Sequence, residues 1–251
     1  MHDCCHCIYF ALPTSYHQHE IQLNLPCDNG LWQARCAADW FAVLQASSPY
    51  GPYQMRLTGI SFLKSLSYIS TTRLLSAHIS LNPFAHFVLV HSILRQLFHT
   101  CVEHQITGHS AEASDESVDQ KVLELQYALH NWFQSWKHSP DAPKNTVPHD
   151  EPPFIDNVLP FYWLGQIALL AHQESLPPFE FTTPNDLQVE TRFRLVKHWL
   201  KHIRNFLKKG DGGATLFWDE LMKIRLQTWQ HEIETDRLEE EDGLLGFFPE
   251  Y

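Results

Sequence analysis

Cys4 and Cys7, with His17 and His19 behind them, are the residues of this chain whose types most suggest metal chemistry. The C-x-x-C spacing lets two thiolates reach one zinc ion. A two-Cys, two-His finger also needs a longer separation between its pairs and histidines that share a helix face. Here the gap after Cys7 is short, and His17 and His19 would point apart on a helix. The segment therefore reads as an irregular terminus, and no metal ligands are expected in it.

A second pair, His198 and His202, sits four residues apart and would face the same way on a helix. A zinc enzyme needs a third ligand and a carboxylate base, usually presented as H-E-x-x-H. That motif is absent, and Arg194, Lys197, Lys201 and Arg204 around the pair repel a cation. Lys197, Lys201, Arg204 and Lys208 make one basic stripe, read first as a solvated face and otherwise as a contact for an acidic partner, the phosphate backbone or the chain's own acidic tail. At the other charge extreme, the terminal run LEEEDGLLGFFPEY places Glu239–Asp242 beside Leu244, Leu245, Phe247 and Phe248. Such mixing occurs in activation segments, but aromatics folding back on a core explain it as well.

No catalytic signature accompanies these groups. The chain lacks a GxxxxGK[ST] phosphate loop, a GxGxxG turn and a GxSxG elbow. Neither catalytic nor cofactor-binding residues are assigned. A dispersed Ser–His–Asp set would meet only in the fold and leaves no local pattern.

Charge and composition narrow the partners. The formal net charge is -11 over 251 residues, whereas a domain that grips nucleic acid alone normally carries positive charge for the phosphates. Direct DNA binding by these residues is therefore disfavoured. The N-terminus shows no secretory pattern, so the six cysteines are expected to stay reduced in the cytosol or nucleus. Val158–Ala171 is the most apolar stretch but is too short to cross a bilayer and contains Gln166, so no membrane contact is expected.

The elements expected to carry these residues are helices. Hydrophobic residues make up 44% of the chain, with only 10 glycines among 251 residues, which suits long helices better than many short strands. Asp28 or Asn29 caps a predicted helix from about Leu31 to Gln45, where Trp32, Cys36, Trp40 and Val43 form one apolar stripe. A shorter helix is expected over Thr58–Leu66. Asn82-Pro83 opens a helix through Phe87, Val90, Leu94, Leu97 and Cys101, apolar on most sides and so the central buried one. After a polar loop at Thr107–Ser117, an amphipathic helix carries Val118, Val122, Leu125, Leu129, Trp132 and Trp136. Val158–His172 reads as another buried helix. Thr183-Pro184 opens a long one that Lys208-Lys209-Gly210 stops, and a last helix covers Thr215–Leu238. The expected fold class is all-α, an irregular multi-helix bundle with long buried helices. Its parts are an irregular segment 1–26, a helical domain 27–238 with a loop at 137–156, and an acidic-hydrophobic tail 239–251.

Leu23–Trp40, LNLPCDNGLWQARCAADW, resembles part of the regulatory domain of fungal-specific transcription factors, the middle homology region. In that family an LPC turn is followed by LW and a helix ending A-x-x-W-like; here these are Leu25-Pro26-Cys27, Leu31-Trp32 and Ala37–Trp40. LNPFAHFVLVHSILRQLF at Leu81–Phe98, ALHNWFQSW at Ala128–Trp136 and LPFYWLGQIALLA at Leu159–Ala171 extend the likeness in order. The resemblance implies a nuclear, helical regulator of RNA polymerase II transcription without enzymatic activity. Its implied partners are proteins of the transcription machinery or a second copy, with DNA reached only indirectly. It also implies that zinc belongs to a separate DNA-binding module rather than to this chain. Because Met1 lies just before the LPC segment, that module and the family's opening helices are expected to fall outside the chain, as in a fragment, a truncated gene model or a degenerate paralogue. The competing reading of the residues is an all-helical small-molecule binder or enzyme of unrecognised type, motivated by the aromatic helices and 17 histidines.

Overall fold

The computed structural model describes Cys4, Ile8, Ser15 and residues 17–26, 28–73, 80–107, 115–141, 158–173 and 187–208. Within these the chain is all-α apart from a four-residue ribbon. The elements are a 3₁₀ turn Gln18–Glu20, strand β1 Asn24–Leu25, helices α1 Asn29–Gln33, α2 Ala37–Gln45 and α3 Tyr53–Thr58, and strand β2 Ile60–Ser61. Five more helices follow: α4 Phe62–Ile69, α5 Pro83–Thr107, α6 Asp115–Lys137, α7 Leu159–Gln173 and α8 Leu187–Lys208.

Helix α5 is the centre of the molecule. The Asn82 side chain accepts from the Ala85 amide at 2.8 Å, and Pro83 occupies the first turn, where a missing N–H costs nothing. Ala85, Leu89, Val90, Ile93, Leu94, Leu97 and Phe98 are all fully buried, so the helix is enclosed on most sides as its sequence predicts. It packs against α4, α6 and α7, while α8 lies on α7. A Cβ placed on Gly165 of α7 would stand 3.1 Å from side-chain carbons of both Leu129 and Leu94. That glycine lets three helices approach closely. Ile8 and Leu25 bury in the same core.

Two expectations fail in the amino-terminal layer. The single helix over Leu31–Gln45 is two helices, and its tryptophan stripe is not core. Trp32 is 91% exposed and Cys36 is exposed, while Leu31 and Leu44 do the burying. Ala34 leaves helical backbone at ψ 128°. Cys36 is extended (φ -145°, ψ 168°), and its sulfur accepts from the Asp39 amide at 3.4 Å to start α2 afresh. The thiol that periodicity counts as apolar therefore serves as a helix cap.

The helix expected over Thr58–Leu66 is likewise broken. Gly59 ends α3 at φ 74°, in the left-handed region that glycine tolerates. Ile60-Ser61 then pairs antiparallel with Asn24-Leu25, in the register Asn24↔Ser61 and Leu25↔Ile60. A Cβ at Gly59 would meet the Asn24 Cβ at 3.0 Å. Only after this pairing does Ser61 cap α4, its hydroxyl accepting from the Lys64 amide.

The later helices fall close to their expected places, with α7 at Leu159–Gln173 and α8 ending at Lys208. The loop expected at Thr107–Ser117 is shorter, since Thr107 still belongs to α5 and α6 already begins at Asp115. Residues 108–114, most of the loop at 137–156, the Thr183-Pro184 start, the helix over Thr215–Leu238 and the tail lie outside the described residues.

Candidate functional site

The amino-terminal layer is organised by one buried cation. The Arg56 side chain, on α3, is 2% exposed, and its guanidinium forms an ion pair with Asp28 at 2.7 Å. The same group donates to the carbonyls of Val43 (2.8 Å), Leu44 (3.1 Å) and Ala46 (2.8 Å). These carbonyls close the end of α2, where helix-terminal oxygens lack partners and the dipole favours a cation. Asp28 in turn caps α1 by accepting from the Gly30 amide at 2.8 Å, and takes a bond from Ser48 at 3.0 Å. A planar fork with five N–H donors can serve a carboxylate and several carbonyls together, which an ammonium cannot.

From this hub one further contact runs to the helical core. The Tyr50 hydroxyl donates to Asp141, just beyond α6. Burial first, then the Asp141 carboxylate, holds the phenol well above its ordinary titration range, so it remains a donor. The hub thus fixes α1, α2 and α3 as a layer whose outer side carries Trp32, Phe41, Tyr53 and Leu57, between 43% and 91% exposed. Solvent-facing aromatics on ordered helices are the kind of side chain that buries against another protein.

The residues singled out by type are dispersed. Cys4 is buried, Cys7 lies outside the described residues, and His17 and His19 stack with ring centroids 5.3 Å apart on the exposed 3₁₀ turn. His198 and His202 do share a face of α8, with centroids 4.3 Å apart, beside exposed Lys201. Among the described residues no three His, Cys, Asp or Glu side chains come together in a way that could hold a metal ion. Also among the described residues, no helix is long and apolar enough to cross a membrane.

Two further histidines, which sequence inspection leaves among the apolar residues of α5, are buried polar groups. The His86 Nδ1 lies 3.1 Å from the Asn82 carbonyl, which can only accept, so Nδ1 carries the proton. Its Nε2 lies 3.2 Å from the Ser135 hydroxyl. His91 donates from Nδ1 to the Phe87 carbonyl at 2.8 Å and lies against the Phe87 and Phe161 rings. Burial, the dominant cause, lowers both imidazoles from 6.5 to about 4. They are neutral structural groups at neutral pH.

The consequence for stability follows from which state protonates first. On acidification the unfolded chain takes up protons near pH 6.5, while the folded rings resist until about pH 4. Stability is therefore fully present above pH 6.5 and falls between there and pH 4, by up to about 1.4 kcal/mol per pH unit for each histidine. Urea unfolding at pH 7 and pH 5 should show this drop, and His91→Gln should flatten it. An unchanged slope in that variant would contradict the assignment.

Sequence inspection misses Arg56. Nothing in the run YQMRLT marks its arginine, and the only legible sign is Asp28 as a helix cap. The sequence profile of the family described as fungal specific transcription factor domain matches residues 1–134, just over half of the 251-residue chain. The chain belongs to that family. The matched segment of this fungal specific transcription factor domain contains the whole Asp28–Arg56 hub, the exposed aromatic layer and α5, and ends within α6. Helix α7 lies beyond the matched segment and packs on α5 and α6. No curated protein and no solved structure matches the chain.

Proposed function

We propose that this domain is the regulatory, protein-contacting part of a nuclear fungal transcription factor of the zinc-module type, modulating RNA polymerase II transcription without catalysing a reaction. The observation that carries this is the family match over residues 1–134, which takes in the ordered layer with solvent-facing aromatics. The net charge of -11 supports a division of labour. DNA is held by a separate zinc-bearing module, and this domain acts through proteins, because an acidic surface repels phosphate. Trp32, Phe41, Tyr53 and Leu57 offer the apolar area for such contacts, on a layer that Arg56 keeps in one conformation. Rigid presentation lowers the ordering cost of binding.

The reading is tested in the host by comparing transcript profiles with and without the encoding gene. A defined set of messenger RNAs should change in abundance and return when the wild-type chain is restored. A profile indistinguishable from the parent strain would argue against it.

A further inference from the structure

Residues 29–58, which form α1, α2 and α3, contain only Arg35, Asp39 and Arg56 as charged residues, in a chain that is 19% charged. Arg56 is buried in its ion pair, so this layer shows solvent one cation and one anion. Its apolar groups are large by comparison. Trp32 is 91% exposed, Phe41 and Leu57 are each 50% exposed, and Tyr53 is 43% exposed. Tyr53 and Leu57 stand four apart on α3 and share a face, as do the exposed Ala38, Phe41, Ala42 and Gln45 on α2. Small residues beside an aromatic let a second helix approach closely.

The four large side chains leave roughly 500 Å² in water, taking about 200 Å² for a whole aromatic. A standard interface takes about 800 Å² from each partner, so they supply more than half of one side. The charges say what covers them. Two copies of a chain with net charge -11 repel one another over most of their surface, but on this layer the two signs cancel. A strongly acidic or basic partner would find no matching charge there. A two-fold interface sets one patch against the same patch, so that each residue pair occurs twice. Arg35, between α1 and α2, and Asp39, in the first turn of α2, are both exposed and opposite in sign. Neither side chain has an ion-pair partner among the described residues.

From this we infer that the layer of α1, α2 and α3 is a self-association surface. Two copies of the chain bury Trp32, Phe41, Tyr53 and Leu57 across a two-fold axis, with Arg35 of each copy facing Asp39 of the other. The Arg56 hub already holds the layer in one conformation, which lowers the ordering cost of pairing. The inference names the partner of the protein-contacting face proposed above, and rests on that reading for its use of this face.

Sedimentation equilibrium of the full chain tests it. A dimer with a micromolar or tighter dissociation constant is expected. Trp32→Ser should weaken it about thirtyfold or more, as for a central interface anchor, and its urea midpoint should stay at the wild-type value because Trp32 is exposed. Arg35→Glu and Asp39→Lys should each weaken the dimer about tenfold or more by setting like charges together. Combining the two reverses both signs and should restore most of the affinity. A chain still monomeric at about 100 µM, a dimer indifferent to Trp32→Ser, or a double exchange that restores nothing would overturn the inference. If the chain is monomeric while Trp32→Ser abolishes its effect on transcription in the host, the face contacts a different protein. In that case self-association falls and the regulatory reading stands.

Discussion

Arg56→Ala is expected to lower the stability of the protein by about 3–5 kcal/mol, because removing one partner of a buried ion pair leaves the other charge uncompensated. Here the loss spreads further than the pair. Asp28 would remain only 16% exposed at the side chain, and the carbonyls of Val43, Leu44 and Ala46 would each lose a donor. Arg56→Lys should rescue little, since a single ammonium cannot span a carboxylate and three carbonyls. Arg56→Met combined with Asp28→Asn should recover part of the loss, because it removes the stranded charge along with its partner. The quantity to measure is the urea midpoint at constant slope. An Arg56→Ala midpoint within about 1 kcal/mol of wild type would place the hub among ordinary surface contacts.

Trp132→Ala is expected to cost about 3–5 kcal/mol, the range for deleting a large aromatic from a packed core. Trp132 is fully buried and lies parallel to Trp136 and Tyr162, each at a ring separation of 5.8 Å. Its indole N–H donates to the His86 carbonyl at 3.0 Å, joining α6 to α5 at the place where His86 also meets Ser135. Trp132→Phe keeps most of the apolar volume but drops that donor, and should cost less than the alanine variant by the same urea measurement. If phenylalanine costs as much as alanine, the hydrogen bond rather than the packing dominates at this position.

These two residues are not equally legible in the sequence. Trp132 lies on an unbroken 3.6-residue pattern from Val122 to Trp136, and its helix forms where that pattern places it. Asn82-Pro83 likewise marks the start of α5 because cap and proline act within one turn. Arg56 leaves no trace, since its partners at positions 28, 43, 44 and 46 come together only through the fold. The exposed Trp32 is the sharper lesson. Periodicity assigns Trp32 and Cys36 to one apolar stripe, but α1 ends at Gln33, the Cys36 sulfur caps a separate helix by accepting from the Asp39 amide, and Trp32 faces solvent. Gly59 shows the other way a pattern fails. A helix that the residues allow is interrupted because Ile60-Ser61 pairs with a strand some 35 positions earlier.

The surface groove beside the 3₁₀ turn is legible only in part. His17 and His19 stand out by type as residues for metal chemistry, whereas the structure stacks their rings on the exposed turn, in one lining with Arg95 and Lys121. Arg95 itself sits in the middle of α5 between Leu94 and Gln96, and nothing local distinguishes it from a surface arginine on an otherwise buried helix.

Fusing the full chain to an unrelated DNA-binding module and measuring a reporter with that module's sites tests the regulatory assignment most directly. The fusion should raise or lower reporter transcription relative to the module alone, while the module with an inert helical protein of similar size does neither. Reporter output equal to that of the module alone, from a fusion shown to be intact and in the nucleus, would contradict it.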